Sequence, residues 1–229
     1  VRGDPKNLLR LEPAKGGELK EPESTPFAGV LCYFMSSITE KLARSVVGVA
    51  GLGGLGSNVA TALARAGVGK LIIADFDNVE QANLDRQQYF TDQIGKSKID
   101  CTVENLRRIN PRVEVEVHNV TLVPDNIPRI FRNVDVIAEC FDTAAAKQMI
   151  VETVLTKTER IRIVSVSGLA GYGNSNAIKT RRISPRLVLV GDGQTGIDTC
   201  KFLTAARVGV AAMHQANAIL ELLIDEISP

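Results

Sequence analysis

The chain has 229 residues, 45% of them hydrophobic, and a formal net charge of +1, which fits one globular domain with a sizeable core. So even a balance gives no global pull toward DNA or an anionic membrane, and the absence of Trp, with aromatics at 4%, speaks against the stacking platforms of single-strand binders. No apolar run approaches the roughly 18 residues of a membrane span, and four scattered cysteines argue for a reducing cytoplasm rather than a disulfide scaffold.

Residues 1–35 read as an extended or loosely ordered arm, because Pro5, Pro13, Pro22, Pro26 and mixed charges leave little to bury. Acidic and proline residues ahead of the apolar stretch Phe27 to Met35 do not fit a secretory signal. The remainder, 36–229, reads as one nucleotide-binding domain. Ser37-Ile-Thr-Glu40 has capping-box spacing and opens a short helix through Ala43. Strand and helix patterns then alternate. Strands are predicted over 45–50, 70–74, 113–118, 134–140 and 162–167, and helices over 57–66, 96–109, 125–132 and 143–156. Such alternation predicts an α/β, Rossmann-like, largely parallel sheet with helices on both faces. Two further β-rich runs, Ala177 to Ile183 and Leu187 to Val190, flank Ser184-Pro185 and predict antiparallel strands added near the C-terminus. A long amphipathic helix is expected from Ala205 to Glu226. Its apolar residues cover more of the circumference than one buried stripe needs, which suggests a second surface and a homodimer.

The segment Val46-Val-Gly-Val-Ala-Gly51-Leu-Gly53-Gly54-Leu-Gly56 carries the strongest chemical signal. Gly51, Gly53 and Gly56 make G-x-G-x-x-G between a strand and a helix. Asp75 ends the next strand, nineteen residues beyond the last glycine. In that context the glycines allow a tight turn, phosphate approach to the backbone and close helix packing, while the acid accepts hydrogen bonds from a ribose. Phosphates are favoured at the helix N-terminus by free N–H groups and the helix dipole. A polar insertion follows, with Asn83, Arg86 and Lys98 at the mouth where a triphosphate projects. A guanidinium fork and an ammonium both suit phosphate oxygens. Asp142 follows the apolar run Val134 to Cys140, just past a strand's carboxyl end, where it can hold a magnesium ion that bridges phosphates.

Gly51-Leu-Gly-Gly-Leu-Gly56, Ala74-Asp-Phe-Asp77, Asn83-Leu-Asp-Arg86-Gln87, Lys98 and Glu139-Cys-Phe-Asp142 resemble the nucleotide site of the ThiF/MoeB adenylyltransferases, relatives of the ubiquitin-activating enzymes. The similarity is greatest to the second ThiF subfamily, which is proposed to act on the thiamine-pathway sulfur carrier ThiS. The resemblance implies ATP- and magnesium-dependent adenylation of the C-terminal glycine of a small ubiquitin-like sulfur carrier. It implies nucleotide contacts from Gly51, Gly53, Gly54, Gly56, Asp75, Asp77, Asn83, Arg86, Gln87 and Lys98, with Asp142 on the metal. Arg86, Lys98 and Asp142 would carry the catalysis. Many relatives bind a structural zinc through two C-x-x-C pairs. Cys32, Cys101, Cys140 and Cys200 form no such pair, so no structural zinc is expected.

Cys200 lies in a crossover loop, Gly191 to Cys200, where some relatives keep a nucleophilic cysteine; without a motif match a structural cysteine is the favoured reading. His118 falls in Val113-Glu-Val-Glu-Val-His118, where alternation sets it with the glutamates on the solvent face. His214, inside the last helix, reads as a packing or surface residue. The alternatives to carrier adenylation are an ATP-dependent tRNA threonylcarbamoyladenosine dehydratase, hinted at by Asp142-Thr143 with Lys147, and a non-catalytic dinucleotide-binding module.

Overall fold

The computed structural model describes residues 37–196, 200 and 202–224. The arm expected over 1–35, with Cys32, lies outside the described residues. A helix over 37–44 (α1) leads into strand β1 (Val46–Ala50), and helix α2 (Gly54–Ala66) follows at once. Strand β2 (Lys70–Asp75) is followed by the polar insertion with its two 3-10 turns, Gln81–Asn83 and Thr91–Gln93. Helix α3 (Lys98–Ile109), strand β3 (Glu114–Asn119), short helix α4 (Ile127–Ile130) and strand β4 (Val136–Glu139) come next. Helix α5 (Ala144–Lys157), strands β5 (Arg162–Val166), β6 (Lys179–Ser184) and β7 (Leu187–Gly191), and helix α6 (Ala205–Ile224) complete the order.

The described strands form one sheet in the order β3-β2-β1-β4-β5-β7-β6. All neighbours are parallel except β6 on β7. Only one strand therefore joins antiparallel; β7 itself runs parallel to β5. Successive residues of the central strands point to opposite faces, as the strand period of two requires. Val47, Val49, Leu71, Ile73, Val136, Ala138, Val164 and Val166 pack with α2, α3 and α6, whereas Ile72, Ala74, Ile137 and Ile163 pack with α4 and α5. Phe131 fills the second face against Gly48, where any Cβ would lie 2.7 Å from its ring.

The chain leaves β1 toward β2 and β3, then returns to the other side of β1 with β4. The order thus reverses between β1 and β4, and a crevice opens at their carboxyl ends.

Several boundaries depart from expectation for local reasons. Helix α2 begins three residues earlier than predicted, because Gly54 to Gly56 are already helical. Strand β4 is shorter at its start, where Asp135 instead accepts a hydrogen bond from Val46 N–H at 2.8 Å. Helix α4 is reduced to a single turn with Pro128 near its start. Alternation in β3 does not bury Val117, which is 46% exposed, because β3 is an edge strand. His118 is half-buried beside Glu116 at 3.0 Å.

Helix α6 corrects the premise offered for a homodimer. Val208, Ala211, Ala212, Ala216, Ile219, Leu222 and Leu223 are buried within this chain, against α2 and the sheet. Met213 remains exposed on this helix. The broad apolar surface is consumed by the fold itself.

A buried ion pair fastens the start of α6. Arg207 Nη2 lies 2.6 Å from Asp192 Oδ2, with both side chains under a tenth exposed. Arg207 Nη1 also donates to the carbonyls of Gly173 and Asn174. Burial alone would raise the Asp192 carboxyl. Hydrogen bonds from the Thr195 hydroxyl and N–H, from Gln194 N–H and from Arg207 outweigh it and bring the pKa down to about 2.

Two stability predictions follow from these contacts. A Cβ at Gly56 would overlap the Gly51 carbonyl, and backbone cannot step aside as a side chain can. Gly56→Ala should therefore cost at least about 3 kcal/mol, read as a lowered urea midpoint. For Asp192 the folded pKa lies below the unfolded value of about 3.9. Its contribution is then complete above about pH 4 and is lost as pH falls toward 2. Asp192→Asn should lose about 3 kcal/mol at neutral pH by stranding Arg207, and should lack that part of the acid slope. An unchanged acid limb in the variant would contradict the assignment.

Candidate functional site

Gly51 ends β1 with φ +93°, a backbone conformation open to glycine. Its N–H bonds the Ala74 carbonyl at 2.9 Å. Leu52 N–H donates to Asp75 Oδ2 at 2.6 Å, and Asp77 N–H to Asp75 Oδ1 at 2.8 Å. Asp75 therefore braces the glycine turn, and each of its oxygens keeps a lone pair for a further donor. No side chain caps α2 and no acid occupies its first turn, so its leading N–H groups are left for an anion.

The polar insertion is moored to that same turn by residues that sequence reasoning passed over. Ser57 Oγ accepts from Gln88 N–H, Asn58 Nδ2 donates to the Arg86 carbonyl at 3.1 Å, and Gln88 Nε2 donates to Asn58 Oδ1. Tyr89 OH reaches the Leu52 carbonyl at 2.9 Å and Thr102 Oγ1 at 3.1 Å. Burial pushes the Tyr89 hydroxyl well up, so it serves as a neutral strut. The available signal was the Ser57-Asn58 pair directly after the third glycine, polar residues in a helix turn that would otherwise pack.

Within the insertion, Asn83 Oδ1 accepts from Glu80 N–H at 3.0 Å. Arg86 Nη1 donates to Asp85 Oδ1 at 2.6 Å and to the Ala82 carbonyl at 3.0 Å. Lys98 is the first residue of α3 after its Ser97 cap. Its side chain is 7% exposed and its Nζ lies 2.7 Å from Asp77 Oδ2. Gln87 is buried, and its Oε1 has no hydrogen-bond partner, an uncommon state for a buried acceptor.

Asp142 forms the facing wall. It follows β4, is exposed, and has no hydrogen-bond or ion-pair partner among the described residues. Thr143 caps α5 by accepting from Ala146 N–H. Lys147, one turn into α5, reaches Glu139 Oε1 at 3.0 Å and Oε2 at 3.2 Å. Glu139 is fully buried.

These elements enclose a cleft of about 820 Å³ at the strands' carboxyl ends. Gly51, Gly53, Gly54, Asp75, Asp77, Asn83, Arg86, Gln87, Lys98 and Asp142 all line it. Gly56 does not; its place is behind the turn, in the contact with Gly51. Ser167, Gly168 and Thr195 also reach the cleft and were not among the predicted residues, and Lys147, noted in the sequence only toward the dehydratase alternative, reaches it too.

The thiols divide by environment. Burial pushes Cys140 and Cys101 up, which keeps both protonated at neutral pH. Cys200 is half-buried beside Gly171, away from the phosphate end of the cleft, and lines a smaller pocket with Tyr172, Phe202 and Arg207. Among the described residues no three of His, Cys, Asp and Glu gather to hold a metal ion, so a cation at Asp142 would depend on phosphate oxygens and water for its other ligands. No helix among them is long and apolar enough to cross a membrane.

Known proteins resemble this chain in sequence and in fold. The chain is 41% identical over 134 residues to the adenylyltransferase and sulfurtransferase uba4 of Aspergillus niger, covering 58% of this chain and 27% of that protein. It is 34% identical over 143 residues to the ubiquitin-like modifier-activating enzyme 5 of Drosophila ananassae, covering 56% of this chain and 36% of that protein. The chain thus spans about a quarter to a third of the length of these curated relatives. Among solved structures, the Escherichia coli tRNA N6-threonylcarbamoyladenosine dehydratase in complex with AMP superposes with TM-score 0.74 at 20% identity, covering 86% of this chain and 93% of that one. Escherichia coli MccB with ATP gives TM-score 0.61 at 21% identity, over 91% and 65%. These likenesses show the Rossmann-like fold. The ThiF family model matches residues 30–229, nearly the whole sequence, and the chain belongs to the ThiF family.

Proposed function

We propose that this domain uses ATP to adenylate the C-terminal glycine carboxylate of a small ubiquitin-like sulfur carrier, of the ThiS kind, with release of pyrophosphate. The observation that carries the reading is one cleft in which an uncapped glycine turn, Arg86, Lys98 and an unpaired Asp142 converge. Family membership and relatives named adenylyltransferase or ubiquitin-like modifier-activating enzyme support it, as do fold neighbours solved with AMP and ATP. The thiamine-pathway carrier rests on the motif resemblance alone.

In this reading the α2 N-terminus holds phosphate and Asp75 accepts from the ribose. The buried, unpartnered Gln87 Oε1 and the unpaired Asp142 carboxylate are the features a bound nucleotide and its metal would satisfy. Magnesium at Asp142 would supply charge neutralisation across the phosphates. The carrier's carboxylate is ionised at neutral pH, so no general base is required. Its oxygen bonds to the α-phosphorus, the bond from that phosphorus to the bridging oxygen breaks, and pyrophosphate leaves with the electron pair. Arg86 and Lys98 counter the charge that accumulates in the transition state. We assign the activity to a reducing cytoplasm, in keeping with the buried thiols of Cys101 and Cys140. The homodimer stays part of the proposal on the family's pairing habit, without support from α6.

A second reading, a tRNA threonylcarbamoyladenosine dehydratase, is favoured by one observation. Lys179, Arg181 and Arg182 lie exposed on edge strand β6 and bring three cations to one edge of the sheet, a charge suited to phosphates. The fold likeness is common to both readings.

Incubating the protein with ATP, magnesium and a ThiS-like carrier should add one AMP to the carrier's C-terminus, read by intact-mass spectrometry. An unmodified carrier, with ATP consumed only when tRNA is present, would replace this reading with the second. Calorimetry should show binding of ATP but not NAD; tight NAD binding without ATP binding would remove both. Asp142→Ala should lower pyrophosphate release about a hundredfold or more while metal-free nucleotide binding changes little. Wild-type turnover in that variant would overturn the role of Asp142.

A further inference from the structure

Glu139 is completely buried at the carboxyl end of β4, three residues before Asp142, and it is not part of the cleft lining. A buried carboxylate is tolerated only where donors compensate its lost hydration. Here the compensation is dense. Phe141 N–H donates to Oε1 at 2.7 Å, Ser165 Oγ donates to Oε2 at 2.7 Å, and Val166 N–H approaches Oε2 at 3.4 Å. Lys147 Nζ spans both oxygens at 3.0 and 3.2 Å. The donors come from the turn after β4, from β5 and from α5. The Glu139 carbonyl adds a fourth element, accepting at 2.9 Å from the buried Gln215 of α6.

One bond in this set has a consequence for the cleft. The Phe141 N–H is held by the side chain of the residue two positions earlier, which closes the chain into a tight turn directly before Asp142. Lys147 pulls on the same carboxylate from α5, whose cap is Thr143, the residue after Asp142. Asp142 is thus flanked on both sides by backbone that Glu139 anchors, although its own carboxylate touches nothing. A ligand that must meet a cation with so few protein partners gains most from a fixed position.

We propose that Glu139 is a positioning residue that sets the metal-binding carboxylate of Asp142, with Lys147 and Ser165 holding Glu139 in place. The proposal rests on the reading that Asp142 binds the magnesium that accompanies ATP. Ser165 offers the sharpest test, because it lies outside the cleft lining and its hydroxyl donates to Glu139.

The experiment is manganese binding to the full chain loaded with a non-hydrolysable ATP analogue, measured by electron paramagnetic resonance. Wild type, Asp142→Asn, Glu139→Gln and Ser165→Ala are compared, and metal-free analogue affinity and thermal midpoint are recorded for each. We expect Glu139→Gln to weaken manganese binding about tenfold, the low end for outer-shell changes at metal sites, and Ser165→Ala about threefold, because Ser165 stands one contact further from the metal. Analogue affinity without metal should stay within about twofold, because the glycine turn and Asp75 are untouched; a general loss of structure would lower both. Should Glu139→Gln not fold, Ser165→Ala decides alone. Loss of manganese in Asp142→Asn with wild-type affinity in both other variants would overturn the positioning role. Wild-type affinity in Asp142→Asn would instead overturn the metal assignment, and with it this inference.

Discussion

The contact between the backbone at Gly56 and the carbonyl of Gly51 is the constraint from which the rest of the site is built. A helix that starts this close to the end of its strand has no room for a Cβ at the crossing. What it gains is a helix N-terminus aimed at the crevice where the strand order reverses. The β1–α2 unit cannot be loosened without moving that N-terminus. The surrounding polar contacts confirm how tightly it is held: Asp75 binds the turn from β2, Tyr89 from the insertion, and Asn58 and Ser57 tie the insertion back to α2. These hydrogen bonds are each worth about 1 kcal/mol net. Their larger effect is geometric, since they close a loop of elements around one short stretch of backbone.

The charges of the cleft are organised by the same economy. Three cations line it, and each already has an anionic neighbour: Arg86 with Asp85, Lys98 with Asp77, and Lys147 with Glu139. Unpaired, three positive groups around one cavity would repel one another and wander. Paired, they are held ready at modest cost. The pairs differ in what they can give up. Asp85 and Asp77 are about half exposed or more, so exchanging them for phosphate would release carboxylates that water can solvate at once. Glu139 is fully buried and has no such escape, so Lys147 stays committed to it. In the proposed adenylation Arg86 and Lys98 would therefore be the exchangeable cations and Lys147 the structural one. That division could not be read from residue types, which make all three look alike.

The sheet was legible because its signal is local. Runs such as Val46 to Ala50 and Leu71 to Ala74 are apolar and β-branched, and each is followed by a glycine or an acid that stops it. The cleft residues were legible for a related reason, since glycine spacing and the acid at the end of the second strand are short-range constraints. What stayed hidden depends on distant partners. Nothing in the neighbourhood of Glu139 announces that its carboxylate will meet Ser165, twenty-six residues away. Arg207 looks like a surface arginine at the start of a helix until Asp192 and the 173–174 carbonyls close over it. Val117 shows the reverse error: its alternation is that of a half-buried strand, but an edge strand receives cover only if another element reaches it.

Helix α6 was misread in an instructive way. Its apolar circumference is wide because it lies in the groove between α2 and the sheet, where two surfaces of the same chain meet it. A helix in a groove is covered over more than a single stripe, and so mimics the pattern of an interface. Gln215 separates the two cases. It is fully buried, donates to the carbonyls of Glu139 and Val164, and accepts from the Cys140 thiol. A glutamine in the middle of an apolar helix face costs free energy unless every polar atom finds a partner, and here it finds them at Glu139, which ends β4, at Cys140 beside it and at Val164 in β5. The polar residue within the apolar face thus marks where α6 meets β4 and β5, and it joins the last helix to the same buried residue, Glu139, that holds Lys147 at the cleft.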